Sequence, residues 1–399
     1  MPRKHSGRML YSHPPMAAIT YIFIIMVFTV VCFIDDDIEH FKYYAVAFGA
    51  VMALIGFVHY RMLRKRRTAT EYLGGFIDTI THYNEWTEEQ EYTVEVEDGK
   101  DSEGRPTYHT ETRTRYIHHP DEWWFHTSIG TEHQFPEDSY NTVASTWNTP
   151  MNEFSITGYE ICGGVRYGDE YYYNDVISRG GGYCDPIFNQ DLVKYMFTIT
   201  EPHVYENKVQ NSNSIFRFES ITDDEAQELG LHPYPAINYL DQSPILGKKV
   251  DGYTEQLFRA FNAFYGSLNQ IRVFVHLFDA SQGIEIAEKQ QAYWKGGNKN
   301  EFSVCLGLDG NTVKWCYTFS WMDEPTLGVN TEDYFRHHPE LDLRAYLRWL
   351  AENIDMWKRK EFADFRYLRV QLSPKQAALL LALCVSLCAG VIYYLPRLF

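Results

Sequence analysis

Three stretches without a single charge bracket this chain, and a chain that carries them must either bury them whole in a core or place them in lipid. Ala17 to Ile34 (AAITYIFIIMVFTVVCFI) and Tyr43 to Val58 (YYAVAFGAVMALIGFV) lie near the start, and Ala377 to Leu395 (AALLLALCVSLCAGVIYYL) near the end. A helix needs about 20 mostly apolar residues to cross the hydrocarbon core of a bilayer. The first and third runs meet that length. The second does so if Phe41, Lys42 and His59-Tyr60 sit at the interfaces, with the lysine snorkelling. The first run is long for the apolar region of a secretory leader and ends in Ile-Asp-Asp-Asp rather than in small residues. It reads as one arm of an uncleaved helical hairpin. The expected spans are therefore about 17–34, 43–60 and 377–395.

Cations decide which way such spans point, because Lys and Arg collect on the cytoplasmic side. Arg3, Lys4 and Arg8 precede the first span, and RMLRKRR (Arg61 to Arg67) follows the second. Lys358, Arg359, Lys360, Arg366, Arg369 and Lys375 precede the third, whereas only Arg397 follows it. The acidic linker DDDIEHFK joins the first two spans. The expected topology is a multi-pass membrane protein. Its N-terminus and residues 61 to 376 are cytoplasmic, and its hairpin tip and C-terminus lie outside. A net charge of −17 excludes the cationic footprint that nucleic-acid binding requires. The basic flanks instead match a bilayer with anionic head groups. Seven cysteines, no CxxC and a cytosolic domain predict reduced thiols.

The fold class expected of the rest is α+β, in a membrane-anchored chain. A β-rich part covers 68–249, a smaller α/β part (helix, strand, helix, β-hairpin) covers 250–335, and 336–376 is an amphipathic helix with a basic juxtamembrane segment. The N-terminal transmembrane hairpin is 1–67, and the C-terminal span 377–395. Tyr92 to Glu97 and Tyr108 to Tyr116 flank the turn-rich DGKDSEGRP and are polar on both faces, which predicts a solvent-exposed hairpin. Leu257, Phe258, Phe261, Phe264, Tyr265 and Leu268 form one helical stripe, and IRVFVHLF (Ile271 to Phe278) is apolar on both faces, as a central strand is. Gly283 to Trp294 predicts a short helix ended by Gly296-Gly297. Leu341 to Phe362 predicts the closing helix. A two-residue turn at Gly310-Asn311 would pair Asp309 with Thr312. Counting outward, Phe302, Val304, Leu306 and Leu308 then share a face with Val313, Trp315, Tyr317, Phe319 and Trp321, and Cys305 faces Cys316.

Two sets of residues are candidates for chemistry. HHPDEWWFHTSIGTEH is rich in imidazole and carboxylate, ligands that suit zinc or iron, and His118, Glu122, His126 and His133 are its candidate metal residues. Their spacing fits no HExxH helix, and on one strand His118, Glu122 and His126 span too far for a single ion. A divalent metal is the only cofactor the chain suggests, and the default expectation is none. The second set is the loop KGGNKNE (Lys295 to Glu301). Asn298, Asn300 and Glu301 would gather with Asp279 at a strand end, where α/β layers bind ligands. SRGGGYCDP (Ser178 to Pro186) lacks the GK[ST] ending of a phosphate loop, and Cys184 has no histidine base beside it.

The order helix, strand, helix, Gly/Asn loop, strand, strand across about 250–325 resembles the TPM domain, with WKGGNKNEFSVCLGLD similar to that family's loop and following strand. The family's asparagine–glycine step is Asn300-Glu301 here. The resemblance implies a small membrane-tethered α/β module and, in some members, phosphatase activity or divalent-cation binding. No span carries the charges that mark an ion or substrate pathway. The chain is rich in aromatic residues suited to contact surfaces, with 30 tyrosines and nine tryptophans. The expected function is an interaction or scaffold module at the membrane, holding a protein partner or further copies of itself. The alternative is a membrane-tethered hydrolase, TPM-like or metal-dependent.

Overall fold

The apolar runs become helices α1 (Met16–Ile34), α2 (Ile38–Arg67) and α9 (Pro374–Tyr394). The computed structural model describes residues 16–34, 38–100, 102–147, 160–161, 164–165, 168–173, 178–179, 182–183, 185–188, 190–212, 218–235 and 243–397. Two compact units emerge, one from residues up to 71, 204–220 and 360 onward, the other from 72–203 and 221–359. The chain is α+β.

In the first unit the three helices share a core of Ile24, Phe48, Ile55, Leu380 and Cys384, while Phe33, Val46, Phe57 and Leu379 stay exposed. Two helical segments, His40–Arg67 and Pro374–Arg397, are long and apolar enough to cross a membrane, and Ala18–Ile34 is a shorter apolar helix. The last turn of a helix leaves carbonyls without intrahelical partners. At the end of α2 the Arg66 carbonyl accepts from Asn211 Nδ2 at 3.0 Å, and the Arg67 carbonyl from the Asn207 amide at 2.6 Å. Lys208 Nζ donates to the Arg366 carbonyl at 2.9 Å, and Ser212 bridges Val370. The 204–220 segment thereby ties the basic end of α2 to the segment that leads into α9. A capping box at Ser373, with Pro374 in the first turn, starts α9.

The second unit opens with strands β1 (Thr68–Tyr83), β2 (Trp86–Lys100), β3 (Pro106–His119), β4 (Glu122–Thr127) and β5 (Glu132–Gln134). Helix α3 (Glu137–Trp147) follows, with two short ladders, β6 (Glu160–Ile161) with β7 (Gly164–Val165) and β9 (Ser178–Arg179) with β10 (Gly182–Tyr183). β8 (Gly168–Tyr173) and β11 (Thr198–Glu206) pair with β1, which also carries β4 and β5 in the order β11-β1-β4-β5. Tyr140, Val143 and Trp147 of α3 cover Ile77, Ile80 and Ile199 of this sheet. β2 and β3 form a separate two-stranded ribbon, paired from Trp86↔His119 to Lys100↔Pro106 with a register shift between Glu97 and Gly99.

A second, four-stranded sheet follows: β12 (Ile245–Leu246), β13 (Arg272–Asp279), β14 (Glu301–Asp309) and β15 (Thr312–Ser320), the first three parallel and the last antiparallel. Helices cover both faces. α5 (Gly252–Asn269), α7 (Thr326–His337) and α8 (Leu343–Glu352) pack on Val273, Val275, Phe302, Val304 and Leu306. α4 (Asp223–Leu229) and α6 (Glu285–Tyr293) pack on Phe274, Phe278, Cys305 and Phe319.

Two expectations change here. The turn at Gly310-Asn311 and the Asp309↔Thr312 pair form, but Lys314 is an extra residue, so that Gly307 faces Trp315 and Leu306 faces Cys316. The cause is steric. A Cβ on Gly307 would lie 2.0 Å from Trp315 Cε2, so the indole occupies the space that the missing side chain leaves. A bulge reverses the alternation beyond it. Trp315, Tyr317 and Phe319 therefore join Cys305 on the α6 face, and Phe302, Val304 and Leu306 share theirs with Cys316, Thr318 and Ser320. Cys305 is opposite Tyr317, not Cys316. Helix α8 also stops early, where Asn353 Nδ2 donates to the Trp349 carbonyl at 2.7 Å before a 3-10 turn over Ile354–Met356.

Candidate functional site

The histidine-rich segment holds its imidazoles one carboxylate at a time. His118 Nε2 lies 3.5 Å from Glu85, His126 Nδ1 3.1 Å from Glu132, and His133 Nε2 2.6 Å from Glu201, while Glu122 accepts from Trp124 Nε1 at 2.8 Å. His118 sits on β3 in the ribbon. On β4 and β5, Phe125 pairs with His133 and His126 with Glu132, so the two histidines point to opposite faces. The structure does not bring His118, Glu122, His126 and His133 together. Among the described residues no three His, Cys, Asp or Glu side chains converge on a metal-sized site.

The glycine loop closes on a buried carboxylate. Lys295, Gly296 and Gly297 take positive φ angles of 54°, 80° and 75° and turn the chain out of α6. Glu301, 1% exposed, then accepts from the Asn298 amide and from Asn298 Nδ2, both at 2.8 Å, and from the Tyr234 hydroxyl at 2.5 Å. Burial pushes its carboxyl pKa up. Asn300 Nδ2 donates to the Tyr72 carbonyl at 2.8 Å. Arg272, next to Glu301 in register, reaches Thr200 Oγ1 at 3.1 Å. These groups lock the amino ends of β13 and β14. Asp279 belongs to the other edge. It ends β13, about 23 Å along the strand from Arg272 at ~3.3 Å per residue, and its carboxylate caps the 3-10 turn Ala280–Gln282. A parallel pair requires its connecting helix to return the chain to the amino edge, so Asn298, Asn300 and Glu301 cannot gather with Asp279.

The carboxyl edge carries the cleft instead. The chain leaving β12 goes to α5 on one face, and the chain leaving β13 goes to α6 on the other. The carboxyl edge of a parallel sheet is the favoured ligand position in α/β folds. A cleft of about 410 Å³ lies there, lined by Lys248, Lys249, Asp251, Thr254, Asn311 and Arg344 over a floor that includes Leu277. Gly247, at φ +94°, makes the turn into it; a Cβ there would meet the Leu277 carbonyl at 2.3 Å.

Both carboxylates of the cleft are committed locally. Asp251 caps α5: its carboxylate accepts from the Thr254 hydroxyl at 2.7 Å and amide at 3.1 Å, and from Arg344 Nη2 at 2.6 Å. Those bonds, the Thr254 hydroxyl first, hold its pKa down to about 2. Asp342 caps α8 through the Arg344 and Ala345 amides at 3.1 and 3.0 Å. Arg344 Nε also donates to Thr254 Oγ1 at 2.8 Å. Lys248 Nζ is 3.4 Å from the neutral Gly310 carbonyl. Sequence reading missed this cleft because β12 is two residues long, too short for any periodicity. The signal present is Leu246-Gly247-Lys248-Lys249 running through Asp251 into α5.

Behind the cleft, His232 Nδ1 lies 3.3 Å from His276 Nδ1, with the rings stacked at 9°. His276 is fully buried against Trp294 and Phe278. Burial lowers the pKa of His232 to about 4 and takes His276 well below its usual value.

No protein-family model, no curated protein and no solved structure matches the chain.

Proposed function

We propose that the protein is a membrane-anchored interaction module, held to one bilayer by an N-terminal helical hairpin and a C-terminal span. The intervening domain lies on the cytoplasmic side. The placement of cations around the apolar runs supports this topology, as does the packing of α1, α2 and α9 around one apolar core with apolar residues left outside. The basic residues at the end of α2 and before α9 suit anionic head groups.

The observation that carries the interaction reading is the β2–β3 ribbon. Tyr92, Tyr108 and Tyr116 along it are 41%, 57% and 70% exposed. Exposed tyrosines and unpaired strand edges are features of contact surfaces. Alternation places Glu89, Glu91, Glu95 and Glu97 on one ribbon face, across from Tyr116, Thr114, Thr110 and Tyr108. Four like charges there discourage stacking of ribbon on ribbon and favour a chosen partner. The test is parallel capture, from mildly solubilised membranes, of the tagged chain and a variant in which a tight turn replaces 88–117. The intact chain is expected to bring down a reproducible protein partner or further copies of itself, and the shortened chain to lose them. Recovery of both forms alone and monomeric refutes the reading. The second reading, a membrane-tethered hydrolase of TPM type, draws on the cleft at the carboxyl edge of the α/β sheet. Turnover of a generic phosphate ester by the full chain, with and without divalent metal, separates the two.

A further inference from the structure

The ribbon accounts for a partner surface but leaves the cleft without a role. We propose that the cleft at the carboxyl ends of β12 and β13 binds a phosphate-bearing ligand, with Lys248 and Lys249 as its charged contacts.

Three observations lead there independently of the ribbon. The first is position, at the carboxyl edge of the sheet, where the turn after β12, the β14–β15 turn and the starts of α5 and α8 surround a recess over Leu277. The second is size, because about 410 Å³ falls within the ~300–1,000 Å³ typical of small-molecule sites. The third is the balance of charge. Asp251 is paired with Arg344 and Asp342 is held by two amides of α8, so that with Lys248 and Lys249 the lining sets three cations against two carboxylates. Lys248 reaches a neutral carbonyl at 3.4 Å, and Lys249 stands beside it, also exposed. A chain of net charge −17 thus presents a recess whose residual sign is positive. Asn311, at the hairpin turn, also lines the cleft. Ammonium groups on flexible stems suit phosphate as point charges. Such a phosphate can come from a soluble monoester or from a lipid head group, and the cleft chemistry is the same for both.

Equilibrium dialysis of the full chain in neutral detergent against radiolabelled inorganic phosphate, at constant ionic strength, tests the site. Saturable binding is expected, weakened about tenfold or more in Lys248→Ala/Lys249→Ala, where tenfold corresponds to ~1.4 kcal/mol. Both lysines are exposed, so the variant keeps its fold, and an unchanged thermal transition verifies this. A Lys65→Ala/Arg66→Ala variant, altered in the basic end of α2, is expected to bind as the parent does. Displacement of the label by glycerol 3-phosphate assigns a soluble source, and displacement only by nanodiscs containing phosphatidylinositol phosphate assigns a head group. Absence of saturation, equal binding by the lysine variant, or loss confined to the Lys65/Arg66 variant overturns the proposal.

Discussion

At the scale of single residues, two contacts have consequences that can be measured. Gly307 lies under the Trp315 indole, and a methyl group there would sit 2.0 Å from Cε2. Gly307→Ala must expel the indole or undo the bulge, at a cost of about 1–3 kcal/mol or more, the range for overpacking a dense core. Urea unfolding is expected to show a lower midpoint, partly restored by adding Trp315→Leu. An unchanged midpoint would mean that the register is wrong. The second contact is the His232–His276 pair. Unfolded imidazoles take up protons near pH 6.5, whereas burial holds folded His232 neutral down to about 4 and takes His276 well below its usual value. Between those values the unfolded chain binds more protons. Stability is therefore fully present above about pH 6.5 and falls as the pH drops toward 4, by up to ~1.4 kcal/mol per pH unit per histidine. Burial raises the carboxyl pKa values of Glu301 and Asp185, which tilts the curve the other way. His276→Phe keeps those carboxyls, so comparing its slope with the parent's isolates one histidine. Equal slopes would show that the pair is not buried neutral.

At the scale of elements, legibility followed how local the cause was. The helical stripe from Leu257 to Tyr265 and the doubly apolar strand from Ile271 to Phe278 each bury the faces that their periodicity displays, as α5 and β13, whereas Leu268, assigned to the same stripe, is exposed near the end of α5. The exposed arms around DGKDSEGRP were readable for the same reason, since polar alternation on both faces leaves nothing to pack. The turn at Gly310-Asn311 was also local. The bulge three residues beyond it was not, because it depends on one indole meeting one glycine across the ladder. Asp279 and Asn298 were assigned to a common edge because a strand pattern carries no direction relative to its neighbour. Only the parallel pairing of β13 with β14 puts them at opposite ends. The cleft was the least visible, being made by a two-residue strand, two helix starts and a turn contributed from 246 to 344.

At the scale of the whole molecule, the arrangement of cations makes a claim that can be measured without a partner or ligand. Moving Arg or Lys through the centre of a bilayer costs about 2.5–3.5 kcal/mol per residue on insertion scales. The clusters at Arg61 to Arg67 and Lys358 to Lys375 therefore resist translocation, while the acidic linker between the first two runs carries one lysine and crosses more readily. In the proposed topology, three crossings would place the N-terminus with the domain and the linker on the far side. In a cysteine-less background, Asp36→Cys is expected to react with an impermeant maleimide added to intact cells. Ser102→Cys, exposed at the ribbon turn, is expected to react only after permeabilisation. If α1 instead packs without crossing, only α2 and α9 span, and Asp36 falls on the same side as the N-terminus. Labelling of the Ser102→Cys variant from outside would invert the domain, expose its thiols to an oxidising compartment, and remove the anionic cytoplasmic leaflet as the surface facing the basic end of α2.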